Sequence, residues 1–387
     1  MKKLIKFDII HPREWLTAKK AELPDLEGMS LEAYREWLIS LASNYSDFYT
    51  HYLNESGNWE AEEFFLLDSD YIWKAAVSMW GRVKAGLLRR TILWSTRLTK
   101  NRSHWTEYVV RHYLQRFQPD VIFVRSQPLN SRFWQSFRPQ AKIVGRLSAR
   151  LPRNWHPNDF DLLYTDQPDF KHFFELHGVP TILNDQGFDE RVARRLRRNP
   201  PTDTIVFIGG LGTQNFLGRT EFLERVAGRV DLDWWGYWWQ SGGDGRGLPD
   251  FPALRASFRG PTSGMEMYQT YADAAICLND YVDTANGIGF NQRMFEVMGA
   301  GGFLLTRSAP NFADTFPAGI FAIYTDYEDC QKKIDYYLRR PEEREAIARR
   351  GQEFILKNYN YHRIATEFSE DLIKLLEQDE STTRSAG

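Results

Sequence analysis

The sequence predicts two α/β domains, each a parallel sheet with helices between its strands. Three observations carry that reading. The chain has 387 residues, enough for two or three cores at about 150 residues per domain. Short apolar or β-branched runs alternate with segments of helical period along most of it, the pattern of a parallel sheet. An arginine-rich stretch with two prolines, Arg191 to Asp203, separates the alternating halves and reads as a solvated linker.

In the first half, Leu31 to Leu41 and Ser46 to Leu53 read as helices and Phe64 to Leu67 as a strand. Trp105 to Phe117 reads as a helix leading over Pro119-Asp120 into the strand Val121 to Val124. Ile143 to Gly145, Leu162 to Tyr164 and Pro180 to Leu183 follow as strands, with a helix over Phe170 to Leu176. In the second half Thr204 to Ile208 is β-branched and stops at Gly209-Gly210. A helix is expected over Thr220 to Val226, a strand over Leu232 to Trp235 and a short strand over Leu254 to Phe258. Helices over Met265 to Ala272, Gln292 to Met298 and Tyr327 to Leu338 alternate with strands over Ala274 to Leu278, Phe303 to Thr306 and Ile320 to Tyr324. Tyr361 to Gln378 is an amphipathic helix. The expected division is 1–198, 199–358, a helix over 359–378 that crosses back to the first domain, and a disordered tail over 379–387.

Composition narrows the function classes. With 49 basic and 51 acidic residues the formal charge is -2, which argues against a nucleic-acid binder. Two cysteines exclude a disulfide scaffold and a cysteine zinc site and suit a reducing compartment. Met1 to Pro12 is broken by Lys2, Lys3, Lys6 and Asp8, so no signal peptide is read and no element is assigned there. No apolar run approaches the ~18 residues of a membrane span. The expected location is the cytoplasm. The 13 tryptophans suggest broad apolar clefts or interfaces besides the cores.

The densest chemical cluster is Asn286 to Gly302, NGIGFNQRMFEVMGAGG. Asn286 and Gly287 open a loop whose amides, with the following helix N-terminus, form a ready anion site. Arg293 near that helix start can fork onto phosphate. Glu296, one turn on, suits the two hydroxyls of a ribose. An exposed Arg–Glu pair at this spacing, worth about 0.2–0.5 kcal/mol, is the plainer alternative.

The run ICLNDYVDTANGIGFNQRMFEVMGAGGFLLT, with REAIARRGQEFILKNYNYHR behind it, resembles the C-terminal domain of CgeB-like, family-4-type glycosyltransferases of the GT-B fold. TIVFIGG, FDLLYTDQPDFKHFFELHGV and QPDVIFVR extend the similarity more loosely over most of the chain. The resemblance implies a GT-B-like fold, two Rossmann-type domains with an interdomain cleft, and sugar transfer from a nucleotide-activated donor to an acceptor the sequence does not identify. Glu296 matches the residue holding the donor ribose, and Arg293 and Asn291 the polar residues before it. Gly209 and Gly210 match the glycine turn beneath the diphosphate, Arg219 a second phosphate contact, and Gly260-Pro261 the turn that meets the base. Arg293 and Arg219 would stabilise the leaving diphosphate; no catalytic base is identified. The family implies retention of configuration; because arginines, loop amides and the helix dipole would supply the positive charge, neither metal nor other cofactor is expected. One departure is Ile288, where broader relatives carry an acid that holds the donor sugar; Asn286 is the substitute contact considered. A sugar-nucleotide epimerase or hydrolase of the same shape, and a non-catalytic glycan- or membrane-binding module, are the rival readings.

Three other features have competing explanations. Asp68-Ser69-Asp70 fits a divalent metal ligand pair or, as the favoured reading, a helix N-cap. Gly81 to Phe117 holds nine Lys or Arg and one acid, Glu107. Its interleaved apolar residues fit a peripheral membrane contact through 82–116, a grip for a phosphorylated acceptor, or a solvated face whose apolar side enters the core. Trp234, Trp235, Tyr237, Trp238 and Trp239 fit ring stacking or, preferably, burial. The eight histidines show no metal spacing.

Overall fold

The computed structural model describes residues 1–99, 104–125, 128–147, 155–183, 186–197, 199, 202–213, 216–239, 247–281 and 289–385. The chain forms two compact units. The first comprises Met1–Ile10, Lys20–Asp185 and His362–Gly387; the second comprises His11–Lys19 and Gln186–Tyr361.

The first unit is built on six parallel strands: β1 (Lys2–Asp8), β2 (Trp59–Phe65), β3 (Val121–Val124), β4 (Lys142–Arg146), β5 (Leu162–Thr165) and β6 (Thr181–Leu183). Their order is β2-β1-β3-β4-β5-β6. The sequence pattern gives β1 no element, because Lys6 and Asp8 interrupt its apolar run. Register resolves the conflict. Lys6 lies directly beside Glu63 of β2, and its Nζ donates to both carboxylate oxygens at 3.0 and 2.9 Å and to the Ser46 carbonyl. Both residues are buried, so each charge is tolerated only because the other meets it. Thr50 donates to the same carboxylate at 2.7 Å. Burial still outweighs these partners and pushes the Glu63 carboxyl up to about 7.

The helix Ser69–Trp80 starts at the Asp-Ser-Asp run. Asp68 accepts from the amides of Asp70 and Tyr71 at 2.9 and 3.2 Å, so it is the N-cap. Lys20 bridges Asp68 and Asp70 at 2.8 Å to each. The C-terminal helix Tyr361–Ser385 packs here: the Phe368 ring lies 4.8 Å from Phe123, and Trp59 donates to Ser369 at 2.8 Å. The helix runs to Ser385, past the expected end at Gln378.

The second unit carries β7 (Ile205–Ile208), β8 (Leu211–Gly212), β9 (Leu232–Trp235), β10 (Trp238–Trp239), β11 (Phe258–Gly260), β12 (Ile276–Asn279), β13 (Leu304–Arg307) and β14 (Ala322–Tyr324). Six of them form a parallel sheet in the order β11-β9-β7-β12-β13-β14, and β8 pairs with β10. Phe207, Trp234, Leu278, Leu305 and Tyr324 stand in its core. Trp234 is therefore core, as preferred, whereas Trp239 is exposed.

Two boundaries differ from the sequence reading. The chain passes between the units at 185/186 rather than 198/199. Within the expected linker, Glu190–Arg195 is a helix capped by buried Asp189, which accepts from the Arg191 amide at 2.8 Å. Pro252–Ser257 is a helix, and only Phe258–Gly260 is strand. Pro252 supplies a helix-ready first residue. The Glu224 carboxylate takes the amides of Ala253 and Leu254 at 3.0 and 2.8 Å.

Candidate active site

The second unit's strand order dictates where a ligand should bind. From β7 the chain builds outward through β9 to β11, then returns to β12, β13 and β14 on the other side. Open α/β sheets take ligands at the carboxyl ends of the strands where the order reverses, which here is between β7 and β12.

Arg293 spans that point. It sits in the first turn of the helix Gln292–Gly299. Its Nε donates to the Ile208 carbonyl at the end of β7, at 2.6 Å, and its Nη1 to Asn279 Oδ1 at the end of β12, at 2.7 Å. Asn279 is fully buried and also accepts from Asn291 Nδ2 at 2.9 Å while donating to Thr306 at 2.9 Å. Asn279 thus fixes both polar residues at the helix start, a role that its place in an apolar strand concealed.

Gly209 is required by this arrangement. Its φ is +157°, and a Cβ there would lie 2.2 Å from Arg293 Nη2. Its carbonyl is held by the Trp234 indole at 2.9 Å. The turn therefore rests on the guanidinium from one side and on the core tryptophan from the other. Gly260, at the end of β11, has φ +105° and open space where a side chain would stand; Pro261 beside it is half-buried.

Arg219 enters from the helix Leu217–Ala227 and is buried. It donates to the Gly210 carbonyl at 2.5 Å and to the Asp280 carbonyl at 3.4 Å, the carbonyl that Arg293 also reaches at 3.4 Å. The two arginines thus converge on one strand end. Asp280 pairs with Arg307 at 2.9 Å; burial raises its carboxyl despite the Arg307 charge.

Glu296 follows one turn after Arg293 and is buried, excluding the exposed-pair alternative. Gln292 donates to it at 2.8 Å. Burial pushes its carboxyl up to about 7, against the pull of Arg293 and Gln292. Asn286, Gly287 and Ile288 lie outside the described residues.

One neighbour was passed over in the sequence. His11 belongs to the second unit and stacks on Tyr237, ring centroids 4.9 Å apart. Tyr237 in turn covers Gly210, where a Cβ would meet its ring at 2.8 Å. Burial lowers the His11 pKa, keeping the imidazole neutral. No local motif marks His11; only the fold brings it to the glycine turn.

This is a GT-B fold, two Rossmann-type units with the second carrying the built strand-end site. Residues 219–370 match the family described as glycosyl transferase-like. Among solved structures, sucrose-phosphate synthase from Thermosynechococcus elongatus superposes with TM-score 0.54 at 11% identity, over 98% of this chain and 100% of that one. A glycosyltransferase involved in avilamycin A biosynthesis gives 0.53 at 12% identity, over 98% and 99%. An E. coli trehalose-6-phosphate protein, bound with UDP-2-fluoro glucose, gives 0.51 at 13%, over 96% and 99%. No curated protein sequence matches the chain.

Proposed function

We propose that the protein is a glycosyltransferase that binds a nucleotide-activated sugar at the strand ends of its second unit. The observation that carries this reading is Arg293, strung between the Ile208 carbonyl and Asn279 beneath the Gly209 turn, with buried Glu296 one turn away. A diphosphate is expected over Gly209 and Gly210, a ribose at Glu296 and a base beside Gly260-Pro261. The nucleotide sugar held by the E. coli neighbour supports that class of donor.

Glycosyl transfer leaves a diphosphate whose negative charge grows as the sugar–oxygen bond breaks. Donors fixed in advance around that charge lower the barrier because they need no reorganisation. Arg293 and the N-terminal amides of its helix supply such donors. Arg219 positions Gly210 and Asp280 and adds positive charge from below. His11, neutral and stacked on Tyr237, is a hydrogen-bonding group for the donor rather than a cation. Under retention, the donor phosphate itself takes the acceptor proton. The acceptor is assigned to the first unit, at the ends of β1 and β3, where that sheet's order reverses and where Asp8 and Arg125 stand.

A panel of UDP-, GDP-, CMP- and dTDP-sugars read by thermal shift tests the proposal; no stabilisation by any nucleotide sugar or free nucleotide would reject it. The leaving charge is assigned here to arginine and amides, so chelation is expected to change nothing. Donor turnover in EDTA should equal that in added Mn²⁺. Activity abolished by EDTA and restored by Mn²⁺ would contradict the assignment.

A further inference from the structure

The helix Arg82–Thr99 meets the solvated-face explanation only in part: Ala85 is buried and Leu88 and Ile92 are half-buried on its inner side, while other apolar residues stay exposed. That explanation needs the apolar residues to enter the core, as Val109, Val110, Leu114 and Phe117 do in the next helix, His104–Phe117. Of residues 82–94, only Ala85 is buried. Val83 is 80% exposed, Leu87 61% and Trp94 67%. At 3.6 residues per turn these three fall within about 40° of one another on the helix circumference. Ala85 lies on the opposite side. The helix therefore has one face turned to its own unit and an apolar stripe turned away from it.

Charge says what the stripe meets. Lys84 and Arg90 are exposed and flank the stripe on either side. Arg82 and Arg89 are exposed further round, Arg89 lying 5.6 Å over the Trp73 ring. Glu107 is the sole acid between Gly81 and Phe117, although the whole chain carries a formal -2. Two copies meeting through this face would oppose their own basic flanks, and like charges across an interface are unfavourable. Nucleic acid would leave the aliphatic centre of the stripe without a partner.

We propose that this helix docks on an anionic lipid surface. Val83, Leu87 and Trp94 enter the interface between headgroups and acyl chains while Lys84 and Arg90 meet lipid phosphate. The side chains are suited to both parts: tryptophan favours the interfacial zone, and juxtaposed lysine and arginine gain from a negative leaflet. The inference is independent of the donor site and of the sugar-transfer reading.

The test is cosedimentation of the full chain with vesicles of phosphatidylcholine and phosphatidylglycerol in equal parts. Wild type should sediment at low salt, release as salt rises past about 0.1 M, where screening shortens to about 10 Å, and stay in solution with phosphatidylcholine alone. Lys84→Gln with Arg90→Gln should weaken binding about thirtyfold, from the usual worth of two cations at a charged leaflet. Leu87→Ser with Trp94→Ser should weaken it more than about tenfold. Both pairs are exposed, so melting temperatures should stay within a few degrees of wild type, and UDP binding, measured separately, should not change. Wild type that stays in the supernatant overturns the inference. So does a Leu87→Ser/Trp94→Ser protein that sediments as wild type does. A dimer dissolved by that same double variant, without vesicle binding, would assign the stripe to a second copy instead.

Discussion

Replacing Lys6 by Met should remove about 3–5 kcal/mol of stability, because it strands a buried carboxylate without its counter-ion. Lys6 is fully buried on β1, the second strand of its sheet, with Glu63 of the edge strand β2 2% exposed beside it. Lys6→Met with Glu63→Leu should recover most of the loss, since an apolar pair of similar volume is often neutral there or better. The pH dependence distinguishes this mechanism from a packing defect. With Lys6 present, burial already holds the Glu63 carboxyl at about 7, and Lys6 is the largest group pulling it down. Without Lys6 it rises further. A raised carboxyl binds its proton more tightly in the folded than in the unfolded state, so its stability is present at low pH and lost as pH climbs through the folded value. Thermal melts should therefore show Lys6→Met closest to wild type near pH 5 and furthest below it near pH 8. A deficit that does not vary with pH would mean that lost packing, not stranded charge, sets the cost.

The same buried pair explains where the sequence was legible and where it was not. Val121–Val124, Leu232–Trp235 and Tyr327–Leu338 are the elements read from their patterns to the residue. Each is apolar on the faces it buries, and each is closed by a turn or cap residue. β1 was missed because its polar residues are satisfied by partners 57 positions away in sequence, as in Lys6 with Glu63, and no local period reports that. The candidate site divides in the same way. Arg293 and Glu296 were visible because both lie on one short helix between glycines. Asn279, which holds Arg293 in place, is polar in an apolar strand and carries no motif. His11 reaches the glycine turn only because residues 11–19 leave the first unit to join the second. Leu254 to Phe258 reads as strand because the group that caps the helix Pro252–Ser257, Glu224, comes from another helix.

Glu296→Ala should leave the protein folded and weaken UDP binding. Each charge-assisted hydrogen bond that the carboxylate makes to a ribose hydroxyl is worth about 1.5–3 kcal/mol, about tenfold to a hundredfold in Kd. The protonation state makes the assignment sharper than the loss alone. Burial raises the free-protein carboxyl from 4.5 to about 7, so it is only partly ionised at neutral pH. Ribose hydroxyls donate, and the ionised form accepts best on both oxygens. UDP affinity should therefore fall as pH drops below 7, with uptake of a proton on release of UDP. Glu296→Gln has the shape but cannot titrate, so its weaker affinity should be flat across the same range. Stability should move the other way. The raised carboxyl costs the folded protein progressively more as pH rises from about 4.5 to about 7. Without ligand, Glu296→Gln should melt close to wild type near pH 5 and above it near pH 8. Calorimetry of UDP binding at three pH values, with melts of the same samples, reads both effects. Wild-type affinity that ignores pH while Glu296→Ala still binds UDP normally would remove Glu296 from the ribose and leave it a buried partner of Gln292.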